Sequence, residues 1–251
     1  MTAITVIAIL AAAATIYGFV AMDSCERVKV ATKGKKKKYQ VQEVPETGIL
    51  FMVIMAVALI VRYIAAAKYF GNETDMNCFI AWGDMVFKDG IGNFYSSDSF
   101  TDYPPGYMYI LYMVGAIRHV LGVAWNSTLS VMLTKTPAII ADLATAYLLF
   151  RIAGKRWTQK GAGILTAIYL FAPAVLLDGA IWGQTDAVFT FFVVLMIYLV
   201  TERKLIPSYF VFAVAVLVKP QSLIFTPVLI YGIIDQVFLD GFDWKNFWKN
   251  L

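Results

Sequence analysis

Residues 106–124 read GYMYILYMVGAIRHVLGVA. The run is long and apolar enough for a membrane span, yet Arg118 and His119 lie inside it. An arginine at the bilayer centre costs about 2.5–3.5 kcal/mol on insertion scales. Whether this segment crosses the membrane fixes the direction of every helix after it. The answer comes from the charges on either side.

The chain has 251 residues, of which 60% are hydrophobic and 15% charged. Soluble domains carry about 25% charged residues. Apolar runs near the length a bilayer requires recur at 4–22, 48–67, 131–152, 161–178, 187–201, 205–219 and 221–239. The fold class expected is all-α: a polytopic transmembrane helical bundle, because lipid cannot satisfy open backbone groups. The run 4–22 lacks a basic leader and reads as a retained helix rather than a cleaved signal. Residues 1–47 then form an N-terminal membrane helix and a basic connector, and 48–251 the main helical module. Lys33–Lys38 is a membrane-surface anchor, and no nucleic-acid pattern is present. Two cysteines and one histidine indicate neither a disulfide framework nor a His-rich metal centre.

Arg27, Lys29 and Lys33–Lys38 place the first connector in the cytoplasm. The run 48–67 then exits into the acidic segment 68–105, which holds Asp75 and Asp102. Arg151–Lys160 and the pair Arg203, Lys204 mark further cytoplasmic loops. These assignments agree only if 106–124 does not cross alone, so it is expected to be a juxtamembrane or re-entrant helix on the external side. Cys25 then lies inside and Cys78 outside, and the two cannot pair. With this topology the unusual polar clusters fall on the external face.

Five clusters carry the candidate chemistry. In 74–87, TDMNCFIAWGDMVF, apolar residues recur at helical spacing, with Thr74 as N-cap. Asp75 in the first turn is favoured as an ionised carboxylate by the helix dipole, and it suits a general base as well as simple dipole complementation. In 100–109, Asp102 and Tyr103 precede the rigid Pro104-Pro105 turn. In 133–143, Lys135 and Asp142 are seven apart and share a helical face. Asp142 lies mid-span, where an ionisable group is expected to face a cavity or a partner; a contact between helices is the favoured reading. In 177–186, Asp178 and Asp186 bracket Trp182-Gly183-Gln184. An indole can stack on a sugar ring or anchor at the interface, and an amide can bond hydroxyls. Lys219, before Pro220-Gln221, either snorkels from a helix end or holds an anionic leaving group. Asn72-Glu73-Thr74 and Asn126-Ser127-Thr128 match the glycosylation acceptor pattern.

In order and spacing these residues resemble the membrane-embedded glycosyltransferases of the GT-C superfold. The carriers are Asp75, Asp102-Tyr103-Pro104-Pro105, Lys135 with Pro137 and Asp142, Trp182-Gly183-Gln184-Thr185-Asp186, and Lys219-Pro220-Gln221. Within that group they look most like the bacterial homologues of the GPI mannosyltransferase family, with the related polyprenyl-phosphate-sugar-dependent transferases nearby. The resemblance covers roughly 48–251. It implies a large first external loop, a site at the external membrane face, a polyprenyl-phosphate sugar donor and a lipid or glycan acceptor. It assigns the base role to Asp75 and substrate binding to Asp102, Tyr103, Lys135, Trp182, Gln184, Asp186 and Gln221. Since such proteins are commonly longer, it also implies a chain that ends within the family's helical module.

The reaction expected is inverting hexosyl transfer, mannose favoured, at the non-cytoplasmic face. Asp75 would deprotonate an acceptor hydroxyl and Lys219 would stabilise the departing phosphate. No cofactor is called for; a divalent cation on carboxylates is a disfavoured addition. Two rival classes remain: a transporter or lipid flippase, and a non-catalytic membrane assembly subunit. The transporter reading predicts an inverted repeat and polar groups through the membrane depth, and the sequence displays neither.

Overall fold

A computed structural model describes residues 48–95 and 100–239, with backbone only over 237–239. The expected helix 4–22, the basic connector with Cys25, and residues 240–251 lie outside the described residues. All the described elements are helical. α1 (Ile49–Lys68) is followed by α2 (Glu73–Asp89), the short α3 (Ile91–Phe94), α4 (Pro105–Val120) and the long α5 (Thr128–Gly154). Next come α6 (Gln159–Leu170), α7 (Pro173–Leu176) and a π-helical turn, Leu177–Trp182. α8 (Asp186–Thr201) and α9 (Leu205–Val218) lead through a 3₁₀ turn, Pro220–Phe225, into α10 (Thr226–Ile233), which ends in a second π-helical segment, Ile234–Leu239.

α1 and α5 are each long and apolar enough to cross a membrane. α6 together with α7 and the π turn makes a third candidate, bent by 53° at the break. Pro173 sets the break, since it cannot continue the hydrogen-bond ladder of α6. The run expected as one helix over 161–178 is therefore two pieces. Likewise, 221–239 is a 3₁₀ turn, a helix of two turns and a π segment rather than one span. α8 and α9 are shorter apolar helices that pack on each other.

α4 is not one of the candidate spans. It packs against α2 at a close glycine crossing: a Cβ placed on Gly115 would lie 2.2 Å from the Gly83 carbonyl oxygen. Arg118 is buried there, donating to Asp84 Oδ1 at 2.8 Å and to the Ile80 carbonyl at 3.3 Å. The cation that disfavoured a crossing thus pairs with the amphipathic helix beside it. α2 buries Met76, Phe79, Ile80, Trp82 and Val86 on one face, as the spacing predicts. Its N-cap is Asn72 rather than Thr74: the Asn72 Oδ1 accepts from the Asp75 N–H at 3.1 Å from an extended backbone (φ −71°, ψ 121°).

The ends of the bundle differ. At one end Lys155, after α5, pairs with Glu202, after α8, so the two basic loops lie together. The ring of Phe51, near the start of α1, lies 4.3 Å from that of Phe150, near the end of α5, tilted by 38°. α1 and α5 are therefore antiparallel, and the C-terminus of α1 lies at the opposite end, with the start of α5 and the π turn.

Between those ends, the interior holds an ion pair. Arg62 Nε lies 3.0 Å from Asp142 Oδ2, and both side chains are buried. A second Arg62 nitrogen donates to the Leu170 carbonyl at 2.9 Å, and the Tyr169 hydroxyl donates to Asp142 Oδ1 at 3.3 Å. The inter-helix contact expected of Asp142 is this pair, which joins α1, α5 and the end of α6.

Candidate functional site

A cleft of about 480 Å³ opens at the end of the bundle away from the basic loops. Its walls come from four places. The first turn of α2 contributes Asp75, and the turn before α4 contributes Asp102, Tyr103 and Pro104. The π turn and the residues after it contribute Asp178, Trp182, Gln184 and Asp186, and the end of α9 contributes Lys219, Pro220 and Gln221.

The local sequence explains each wall. Asn72 caps α2 and leaves Asp75 in the first turn, beside unsatisfied backbone N–H groups. The π turn ends at Gly183, whose φ of 91° only glycine adopts readily. The Gly183 and Gln184 N–H groups both donate to the Asp178 carbonyl at 3.0 Å. A Cβ on Gly183 would also meet Met76 Sδ at 2.4 Å. This tight reversal turns Gln184 back toward α2. At the opposite wall, Pro220 follows Lys219 and stops α9 there.

Asp75 is the centre of the polar network. Its Oδ2 accepts from Gln184 Nε2 at 2.5 Å and from Trp182 Nε1 at 3.2 Å. Gln184 Oε1 faces the Tyr103 hydroxyl at 3.5 Å, and Thr185 Oγ1 donates to the same hydroxyl at 3.4 Å. Burial holds the Tyr103 phenol above its ordinary range, so it stays a neutral donor and acceptor at physiological pH. Lys219 forms an ion pair with Asp186 and sits 6.0 Å from the Tyr103 ring centroid and 5.7 Å from that of Phe189. Trp182 is 52% exposed with its N–H fixed on Asp75, which leaves a face of the indole open to a ligand.

The structure therefore brings together Asp75, Asp102, Tyr103, Trp182, Gln184, Asp186, Lys219 and Gln221. It does not bring Lys135 to the cleft. That ammonium is buried and donates to the carbonyls of Tyr69 at 2.8 Å, Ile181 at 2.9 Å and Ala180 at 3.2 Å. Two further contributors had been given no role of their own. Asp178 lines the cleft, and buried Thr185 holds Tyr103 from behind. Asp178 was visible as half of the acidic bracket, and Thr185 only as one position of the Trp182–Asp186 motif.

Among the described residues no group of three or more His, Cys, Asp or Glu side chains is arranged to hold a metal ion. Cys78 is a free thiol on α2. The lining is acidic, with four carboxylates against Lys219. Such a surface accepts hydrogen bonds from hydroxyl groups and offers a single cation to an anion.

The family model described as GPI transamidase subunit PIG-U matches residues 80–250. That is well over half of the chain, and the chain belongs to this family. The matched residues contain every cleft residue named above except Asp75. No curated protein and no solved structure matches it.

Proposed function

We propose that this member of the PIG-U family is an integral-membrane subunit whose cleft binds the sugar and phosphate of a glycosylated membrane lipid. The observation that carries the reading is the linked set Asp75, Gln184, Trp182 and Tyr103, with Lys219 at the opposite wall. Carboxylates and an amide grip hydroxyls, an open indole face takes a pyranose ring, and one cation takes a phosphate. The volume lies within the roughly 300–1,000 Å³ of small-molecule sites. The family description, a subunit of a transamidase, favours a role in holding the lipid within an assembly rather than transforming it.

A second reading, hexosyl transfer by the cleft itself, rests on one observation: Asp75 is present, on the cleft, and fixed by two donors. In that reaction the acceptor oxygen would attack the anomeric carbon while its proton passes to an Asp75 oxygen. The bond from the anomeric carbon to the phosphate oxygen breaks with inversion, and the phosphate departs as an anion. Lys219 would then exchange Asp186 for that phosphate. General-base assistance is worth about 10²–10⁴-fold.

One experiment separates the two. The purified full chain in nanodiscs is given radiolabelled polyprenyl-phosphate mannose with membrane glycolipids as acceptors. Binding without product, weakened by Lys219→Ala, supports the subunit reading. Product formation lost in Asp75→Asn supports transfer. Absence of both binding and product would overturn the glycolipid cleft.

A further inference from the structure

Lys135 is an unusual buried cation. Among the described residues it has no carboxylate within ion-pairing distance, and its ammonium faces only backbone carbonyls. An ammonium has three protons, and three carbonyls take them. Two of these, Ala180 and Ile181, belong to the π turn. The third, Tyr69, ends α1, three residues before the Asn72 cap of α2.

The two segments joined by this ammonium carry opposite halves of the Asp75 cluster. Tyr69 leads through Gly71 and Asn72 into the turn that bears Asp75. Ala180 and Ile181 lead into Trp182 and Gln184, which donate to Asp75. The same two segments touch a second time, where the Asn72 N–H donates to the Trp182 carbonyl at 2.9 Å. Gly71 makes that approach possible. Its φ is 104°, and a Cβ there would lie 2.2 Å from the Trp182 carbonyl oxygen. α5 supplies the rigid post from which Lys135 reaches both segments.

We propose that Lys135 is a positioning residue: it clasps the end of α1 to the π turn and thereby sets Asp75 against Trp182 and Gln184. It does not contact the ligand. The inference rests on the glycolipid reading only for its consequence; the clasp itself is a property of the unliganded chain.

The test is hydrogen–deuterium exchange on the full chain in nanodiscs, comparing Lys135→Met, Lys135→Arg and Gly71→Ala with the parent. In Lys135→Met, exchange at 69–76 and 180–185 should rise at least ten-fold, with the middle of α1, α8 and α9 unchanged. Lys135→Arg, which keeps donors on a cation, should recover part of that protection. Gly71→Ala reaches the same clasp from the other side and should loosen the same two segments, so a failure of Lys135→Met to fold does not block the test. Unchanged protection in both segments overturns the proposal, as does a uniform rise along the chain. Affinity for polyprenyl-phosphate mannose is the second readout. If Lys135 acts through the cluster, its effect and that of Asp75→Asn should be non-additive, and additive effects overturn the proposal. Local loosening with no binding by the parent would retain the clasp and overturn the glycolipid cleft.

Discussion

Replacing Arg62 with Met should destabilise the chain about as much as any single substitution in the bundle. The reason is what it leaves behind. Asp142, with a side chain 2% exposed, would lose the cation that pairs with it among the described residues while remaining inside the protein. Breaking a buried pair by removing one partner costs about 3–5 kcal/mol. The Leu170 carbonyl, which closes α6 at the 53° break, would also lose its donor, adding about 1 kcal/mol. Asp142→Leu should be comparably harmful, since it strands a fully buried guanidinium. The double variant, Arg62→Met with Asp142→Leu, strands no charge. It leaves only the Leu170 carbonyl and the Tyr169 hydroxyl short of partners, and should cost about 1–2 kcal/mol. The measurement is reversible unfolding of the four proteins in mixed micelles, read as a double-mutant cycle. Coupling of about 5 kcal/mol or more is expected. A double variant as unstable as the two single losses combined would refute the account, because the two residues would then act independently.

Lys219→Ala should leave stability within about 1 kcal/mol, because the ion pair opens to solvent on its Asp186 side, where the side chain is 41% exposed against 15% for Lys219, and solvent-screened pairs contribute little; binding of polyprenyl-phosphate mannose by isotherm should fall about ten-fold. Gly115→Ala should destabilise by about 1–3 kcal/mol through overpacking, since the new methyl would meet the Gly83 carbonyl oxygen at 2.2 Å, and thermal unfolding reads this directly. Alkaline pH should weaken the cleft through Tyr103. Its folded pKa is raised by burial, so stability is intact below the unfolded phenol's value of about 10 and falls as pH rises above it. Tyr103→Phe should flatten that part of the stability–pH curve.

The long apolar runs were legible because a lipid environment leaves so few alternatives for the backbone. The breaks were not, although Pro173 stood in plain view. A hydropathy window counts Ala172-Pro173-Ala174 as apolar and passes over the lost ladder bond. The cap of α2 was misplaced by two residues because Asn72 and Thr74 are both good caps. The extended backbone at Asn72, with Gly71 allowing the close approach before it, decides between them, and that is tertiary geometry. Arg62 was hidden inside AVALIVRYIAAAK, where it counted as one blemish in a good span. A physical signal existed: a lone arginine in one span and a lone aspartate in another each need a partner. The cleft was readable because its residues are exposed enough to keep their polar character, and because proline or glycine marks each wall.

Lys135 shows where side-chain patterns stop. Its partners are carbonyls, and every residue has one. A lysine that meets three of them has no distinctive neighbours in sequence. Yet broken helices inside a membrane create a demand that points to such residues. Each break frees carbonyls that lipid cannot satisfy, so a donor must come from a neighbouring helix. Here the end of α6 takes Arg62, and the π turn and the end of α1 take Lys135. Intramembrane cations are usual candidates for substrate contact, but a chain with interrupted spans needs them first for its own backbone. The interruption builds the cleft: without the π turn, Trp182 and Gln184 would continue a helix instead of turning back on Asp75. The cations that make the interruption tolerable are therefore a condition of the site, one step removed from whatever it binds.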